Sequence, residues 1–146
     1  MTALPEHLNA RDGLRLCLRH WPAPADRSAG SVLIVHGLGE HIGRYEHVAA
    51  QLNGWGWQVF GYDQRGHGRS EGARGALAVG DDLLHDLAAV IDAVRAAKSG
   101  PLVLLGHSMG GLVAARFVAG DAGATWVRRV DALVLSSPAL DPGMTL

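Results

Sequence analysis

Gly106-His107-Ser108-Met109-Gly110 constrains this chain more than any other stretch. It follows an apolar run, Pro101-Leu102-Val103-Leu104-Leu105, and precedes a helical pattern from Leu112 through Val118. A serine with glycines two positions to either side, set between a buried strand and a helix, reads as a nucleophile elbow. The glycines have a steric reason: in so sharp a turn, a Cβ at either position would meet the neighbouring strand or helix. The turn lifts the serine Oγ off the sheet edge. It also sets it at a helix N-terminus, whose dipole favours developing negative charge. The pattern points to acyl transfer through a serine ester, with Ser108 as the catalytic nucleophile.

The rest of the chain alternates between strands and helices. Leu14 to Trp21 has a period near two and predicts a strand with one exposed face, preceded by an Asp12-Gly13 hairpin turn and a strand-like stretch in Glu6 to Ala10. Pro22 to Gly30 reads as a polar loop. Val32 to Val35, Gln58 to Tyr62, Leu102 to Leu105 and Ala132 to Leu135 are apolar runs of the kind buried on both faces of a parallel sheet. Helices are predicted over Tyr45 to Leu52, Asp81 to Lys98 and Gly111 to Ala119. In the middle one, Leu83, Leu84, Leu87, Val90, Ile91 and Val94 form a single stripe, Gly80 or Asp81 can cap the start, and Gly100-Pro101 stop the end. The expected class is α/β: an antiparallel hairpin, then parallel strands with helices on both faces. In such sheets ligands bind at the carboxyl ends of the strands. The loops there are His36 to His41, Asp63 to Gly68, the elbow and Ser136-Ser137-Pro138.

Composition narrows the function further. Lys and Arg number 13 against 14 Asp and Glu, so no basic surplus argues for nucleic acid, and no cationic run argues for an anionic membrane. Glycine is 20 of 146 residues, about twice the usual share of roughly 7%, and many of these glycines fall in the rim loops. Cys17, the only cysteine, excludes an internal disulfide and reads as a buried, inert thiol. No secretory signal stands at Met1 to Gly13, and no apolar run approaches the ~20 residues of a membrane span. A cytoplasmic protein is the expectation.

Gly37-Leu38-Gly39, with Gly43 beyond and Asp63 further on, comes close to a dinucleotide fingerprint. The spacing is GxGxxxG rather than GxGxxG. A hairpin precedes the strand, Glu40 and His41 stand where a pyrophosphate prefers small neutral residues, and the elbow would go unexplained. The alternative is that the loop after Val35 lends a backbone N–H to an oxyanion hole, the second donor being the residue after the nucleophile. By position these are the Leu38 and Met109 amides. Losing one such donor typically costs ~10²–10³ in turnover.

Four motifs in order carry a family resemblance: His36 to His41 through Arg44-Tyr45, Asp63 to Gly72, Gly106 to Gly111, and Ser136-Ser137-Pro138-Ala139. On these the chain resembles the α/β-hydrolase superfamily, within it the monoacylglycerol lipase and lysophospholipase group, also described as serine aminopeptidase-like. The resemblance implies hydrolysis of a carboxylic ester, with a monoacylglycerol or lysophospholipid as substrate and no cofactor. It spans the N-terminal half of such an enzyme, so residues 1–146 read as the N-terminal part of a single domain. Family members carry their triad in the order Ser, acid, His. No histidine follows Ser108, so the acid, the base, the lid and the C-terminal strands are expected beyond Leu146. The chain alone is then expected to turn over feebly or not at all. A different class stays open: a non-catalytic module that self-associates or binds a complementary chain.

The remaining candidates have plainer readings. Asp141 could pose as the triad acid but reads as a turn residue before Pro142. His107 is badly placed to act on its neighbour and reads as a packing or loop residue. His36, His41 and His67 fall on the rim without metal-ligand spacing, and His67 is expected to organise its own loop. Glu40, Asp63 and Arg65 are expected to hold the rim loops through ion pairs. Trp55 and Trp57 read as packing around the second helix, and Trp126 as a surface or interface residue.

Overall fold

The computed structural model of the chain describes residues 2–24, 28–74, 76 and 80–141. The middle of the 22–30 loop and the segment from Pro142 onward lie outside the described residues. Six strands form one sheet: β1 (His7–Asn9), β2 (Arg15–Trp21), β3 (Gly30–Val35), β4 (Trp57–Tyr62), β5 (Leu102–His107) and β6 (Ala132–Ser136). Their order across the sheet is β1-β2-β4-β3-β5-β6. The first two form the expected hairpin, turned at Gly13 (φ +85°), with His7 opposite Cys17. β2 pairs antiparallel with β4, while β4, β3, β5 and β6 run parallel, with Leu33 between Phe60 and Leu104.

Helices cover both faces, as the alternation predicts. Helix α1 (Glu46–Gly54), entered through a 3-10 turn (Ile42–Tyr45), lies on one face; α2 (Asp82–Ala97) and α3 (Met109–Ala119) share the other. The split follows the two-residue period of a strand. Leu33 and Val35 of β3 pack with Leu87, Ile91, Ala114 and Phe117, whereas Val32 and Ile34 pack with Tyr45 and Ala49. The α2 stripe is buried as expected, apart from Leu83 at its margin. Asp81 is the α2 N-cap through its backbone: its carbonyl accepts from the Leu84 and His85 amides at 3.0 and 2.9 Å, and its side chain makes no cap bond.

Three sequence expectations need correction. Trp126 is 2% exposed and packs tilted against Phe117, ring centroids 5.5 Å apart, so it is a core residue under α3. Trp55 is exposed and Trp57 packs on the α1 face, the side of the sheet away from α2. Helix α3 starts at Met109, with Gly110 and Gly111 inside its first turn.

Arg65, in the loop after β4, ties the sheet rim to α2. Its Nε and Nη2 donate to the two Asp86 oxygens at 2.6 and 2.8 Å, and Nη1 reaches Asp82 and Asp12. The expected ion pairing of Arg65 is present, but to α2 and the hairpin. Asp63 instead acts on backbone, accepting from the Ile42 and Arg69 amides at 2.8 and 3.0 Å. Asp86 is 1% exposed, so losing the guanidinium strands a buried carboxylate. Arg65→Ala is expected to cost about 3–5 kcal/mol in urea unfolding. A loss below about 1 kcal/mol would mean the pair adds little.

Candidate active site

β5 ends at His107, α3 begins at Met109, and Ser108 makes the whole turn between them with φ +54° and ψ −120°. A positive φ at a residue with a Cβ is strained, of order 1–3 kcal/mol, and persists only where its surroundings over-determine it. Those surroundings are visible. The Ser108 amide donates to the Ser136 carbonyl at 3.0 Å, and the Ser108 carbonyl accepts from the Gly111, Leu112 and Ala139 amides. A Cβ on Gly106 would stand 2.5 Å from the Gly110 carbonyl oxygen, and one on Gly111 2.8 Å from Pro138. A Cβ on Gly110 would overlap the carbonyls of Val35 and His36. The first turn of α3 thus rests directly on the end of β3.

The loop after β3 brings Leu38 to the same place. A Cβ on Gly37 would lie 3.2 Å from that of Ser108, so the Gly37 backbone borders the serine. Among the described residues, the Leu38 and Met109 amides have no hydrogen-bond acceptor, and Leu38 is 54% exposed. Glu40 holds this loop: Oε1 accepts the Gly37 amide at 2.6 Å and the Tyr45 hydroxyl, and Oε2 pairs with Arg44 at 3.4 Å. Burial disfavours the Glu40 charge, but the Tyr45 hydroxyl and the Gly37 amide outweigh it and hold its carboxyl below the usual range. The expected ion pair of Glu40 is therefore with Arg44, and its main work is done through Gly37 and Tyr45. A cavity of about 340 Å³ opens beside the loop, lined by Glu40, Arg44, Tyr45, His47, His107 and Ser136 among others.

The rim histidines serve as structural links. His107 Nδ1 lies 3.1 and 3.0 Å from the Ser136 carbonyl and hydroxyl. Buried His36 accepts the Gln64 amide on Nε2 at 3.0 Å, which leaves its proton on Nδ1, 2.7 Å from the Gly37 carbonyl. His67 bridges to the Gly39 amide as well as to its own loop. Among the described residues none of these rings bonds the Ser108 hydroxyl, and no group of three metal-ligating side chains occurs. Asp141 lies at the end of the described chain, past Ala139. The sequence placed Ser136 on the rim, and the parallel register of β5 and β6 sets it opposite His107, beside Ser108.

The serine aminopeptidase, S33 family model matches residues 26–146. The chain belongs to this α/β-hydrolase family. It is 40% identical over 112 residues to a human monoglyceride lipase, covering 76% of this chain and 36% of that protein. A monoacylglycerol lipase of Mycolicibacterium smegmatis is 35% identical over 130 residues, 88% of this chain and 44% of the relative. Among solved structures, a Paleococcus ferrophilus monoacylglycerol lipase superposes with a TM-score of 0.67 at 34% identity, over 86% of this chain and 44% of that one. This chain of the S33 family therefore spans less than half the length of these relatives. Among the described residues, no helix is long and apolar enough to cross a membrane.

Burial holds the His36 imidazole below its ordinary value of 6.5, despite the bond to the Gly37 carbonyl that favours its charged form. The unfolded chain therefore takes up a proton near 6.5 that the folded chain refuses until lower pH. Stability from neutral His36 is complete above about 6.5 and is lost as pH falls towards the folded value, with a slope of up to roughly 1.4 kcal/mol per pH unit. Urea unfolding between pH 7.5 and 5.5 is expected to show this loss, with a shallower slope in His36→Gln. An equal slope in the variant would exclude His36 as its source.

Proposed function

We propose that this chain carries the nucleophile and the oxyanion hole of a serine hydrolase that cleaves carboxylic esters. The observation that carries the reading is the strained Ser108 at the α3 N-terminus, bordered by the Gly37 backbone, with the neighbouring Leu38 and Met109 amides lacking an acceptor among the described residues. The Ser108 Oγ attacks the ester carbonyl carbon while its proton passes to a base. The two amides and the helix dipole hold the negative oxygen of the tetrahedral intermediate. Its collapse expels the alcohol, which takes the proton, and water then releases the acid from the acyl-serine. The histidine base and its acid come from outside residues 1–146, because no described histidine reaches the Ser108 hydroxyl. A monoacylglycerol or lysophospholipid is the proposed substrate class, the first supported by the monoglyceride lipase relatives. The proposed compartment is the cytoplasm, in keeping with the free buried Cys17.

Fluorophosphonate labelling read by intact mass, with Ser108→Ala as control, tests both parts. At neutral pH the chain alone is expected to label slowly or not at all; rapid stoichiometric labelling would overturn the missing base. At alkaline pH, where hydroxide substitutes for the base, a slow adduct is expected at Ser108 only. Equal labelling of the control would overturn Ser108 as nucleophile.

A second reading concerns partners. The α1 face carries an apolar groove of about 990 Å³, lined among others by Leu52, Trp57, Val103, Leu105 and Val134. It adjoins β6, an edge strand with Val134 and Leu135 exposed. Apolar surface beside a free strand edge favours association. A salt-insensitive oligomer, or a stable complex with a complementary C-terminal chain, is expected in light scattering. A monomer that stays soluble at high concentration and takes no such partner would overturn this.

A further inference from the structure

The Leu38 peptide sits at the tip of its loop with little packing to hold it. Leu38 is 54% exposed, and around Gly39, at φ +74°, there is open space where a Cβ would stand. Hydrogen bonds must therefore decide where the Leu38 amide points. On one side the His36 Nδ1 proton goes to the Gly37 carbonyl at 2.7 Å. On the other, the Gly39 amide donates to His67 Nε2 at 3.0 Å. A backbone N–H can only donate, so Nε2 is the acceptor and the ring proton lies on Nδ1, 3.0 Å from the Arg65 carbonyl. His67 is 5% exposed, and the residue it leans on is clamped to α2 by the two Arg65–Asp86 bonds.

We propose that His67 is a positioning residue of the oxyanion loop: as a neutral, Nδ1-protonated ring it holds Gly39 and thereby aims the Leu38 amide at the position of the developing oxyanion. This rests on the reading of Leu38 as an oxyanion donor. The support runs from α2 through Asp86, Arg65 and His67 to Gly39, so a helix on one face of the sheet sets the geometry of a loop at its rim. An acceptor at the Nε2 position is the requirement. Gln at position 67 can supply one through Oε1, and Leu cannot.

The test uses the ¹⁵N-labelled chain in NMR and phenylboronic acid, which gives a tetrahedral anionic adduct on a serine. In the wild type, a scalar coupling between the Gly39 nitrogen and His67 Nε2 is expected, together with the Nδ1-H pattern of the ring. Absence of that coupling overturns the proposal, and this measurement needs no variant to fold. On boronate addition at the mildly alkaline pH where hydroxide substitutes for the missing base, with the tetrahedral adduct verified by its ¹¹B resonance, the Leu38 amide is expected to shift in the wild type and in His67→Gln, and to lose that shift in a folded His67→Leu. A Leu38 shift equal in all three would overturn the proposal, because His67 would then be a packing residue. If the coupling is present but boronate moves neither Leu38 nor Met109 in the wild type, the oxyanion reading itself falls, and the proposal with it.

Discussion

The distance between α3 and the strand ends beneath it governs the rest of the structure. Gly106, Gly110 and Gly111 have backbone or Pro138 within overlap range of any Cβ they might carry. With hydrogen at those positions, the first turn of α3 settles on the Val35 and His36 carbonyls, and Ser108 is forced into its left-handed conformation. Overpacking such a contact costs typically 1–3 kcal/mol. The strain at Ser108 is therefore held by many contacts and relieved by none.

The rim loops are held by polar links more than by apolar packing. Asp63 caps the 3-10 turn before α1, Glu40 pins Gly37, and His36 and His67 join the loops after β3 and β4. Each link uses a neutral ring or a carboxylate that accepts backbone N–H groups, which satisfies donors that burial would otherwise penalise. Arg65 anchors this set to α2 through the Asp86 fork. Leu38 is the exposed point of this rim, held through the hydrogen bonds of the Gly37 carbonyl and the Gly39 amide on either side.

The two faces of the sheet differ. α2, α3 and Trp126 close one, while α1 leaves the other partly open beside β6. Strands as apolar as Val103 to Leu105 expect cover on both sides. Among the described residues, α1 covers that side only in part, leaving a groove bordered by Val103, Leu105 and Val134.

Local periodicity and steric signals determined much of this protein in the sequence alone. Apolar runs marked β3 to β6, the stripe from Leu84 to Val94 marked α2, and the spacing of glycines around Ser108 marked the elbow, because each is a local consequence of side-chain volume and backbone freedom. Where propensity and packing disagree, tertiary contacts won. Gly110 and Gly111 disfavour a helix by about 1 kcal/mol each relative to Ala, yet they lie within α3 because a Cβ on Gly110 would overlap the end of β3 and one on Gly111 would crowd Pro138. Trp126 sits in a segment without periodicity, so nothing local marked it as core. The partners of Arg65, Glu40 and His67, and the place of Ser136 beside Ser108, were decided by the sheet register and loop docking. The Arg65–Asp86 and His67–Gly39 pairings join residues far apart in the chain, which no local spacing encodes, whereas Glu40 meets Gly37, Arg44 and Tyr45 within five residues and still needs the loop's fold to bring them together.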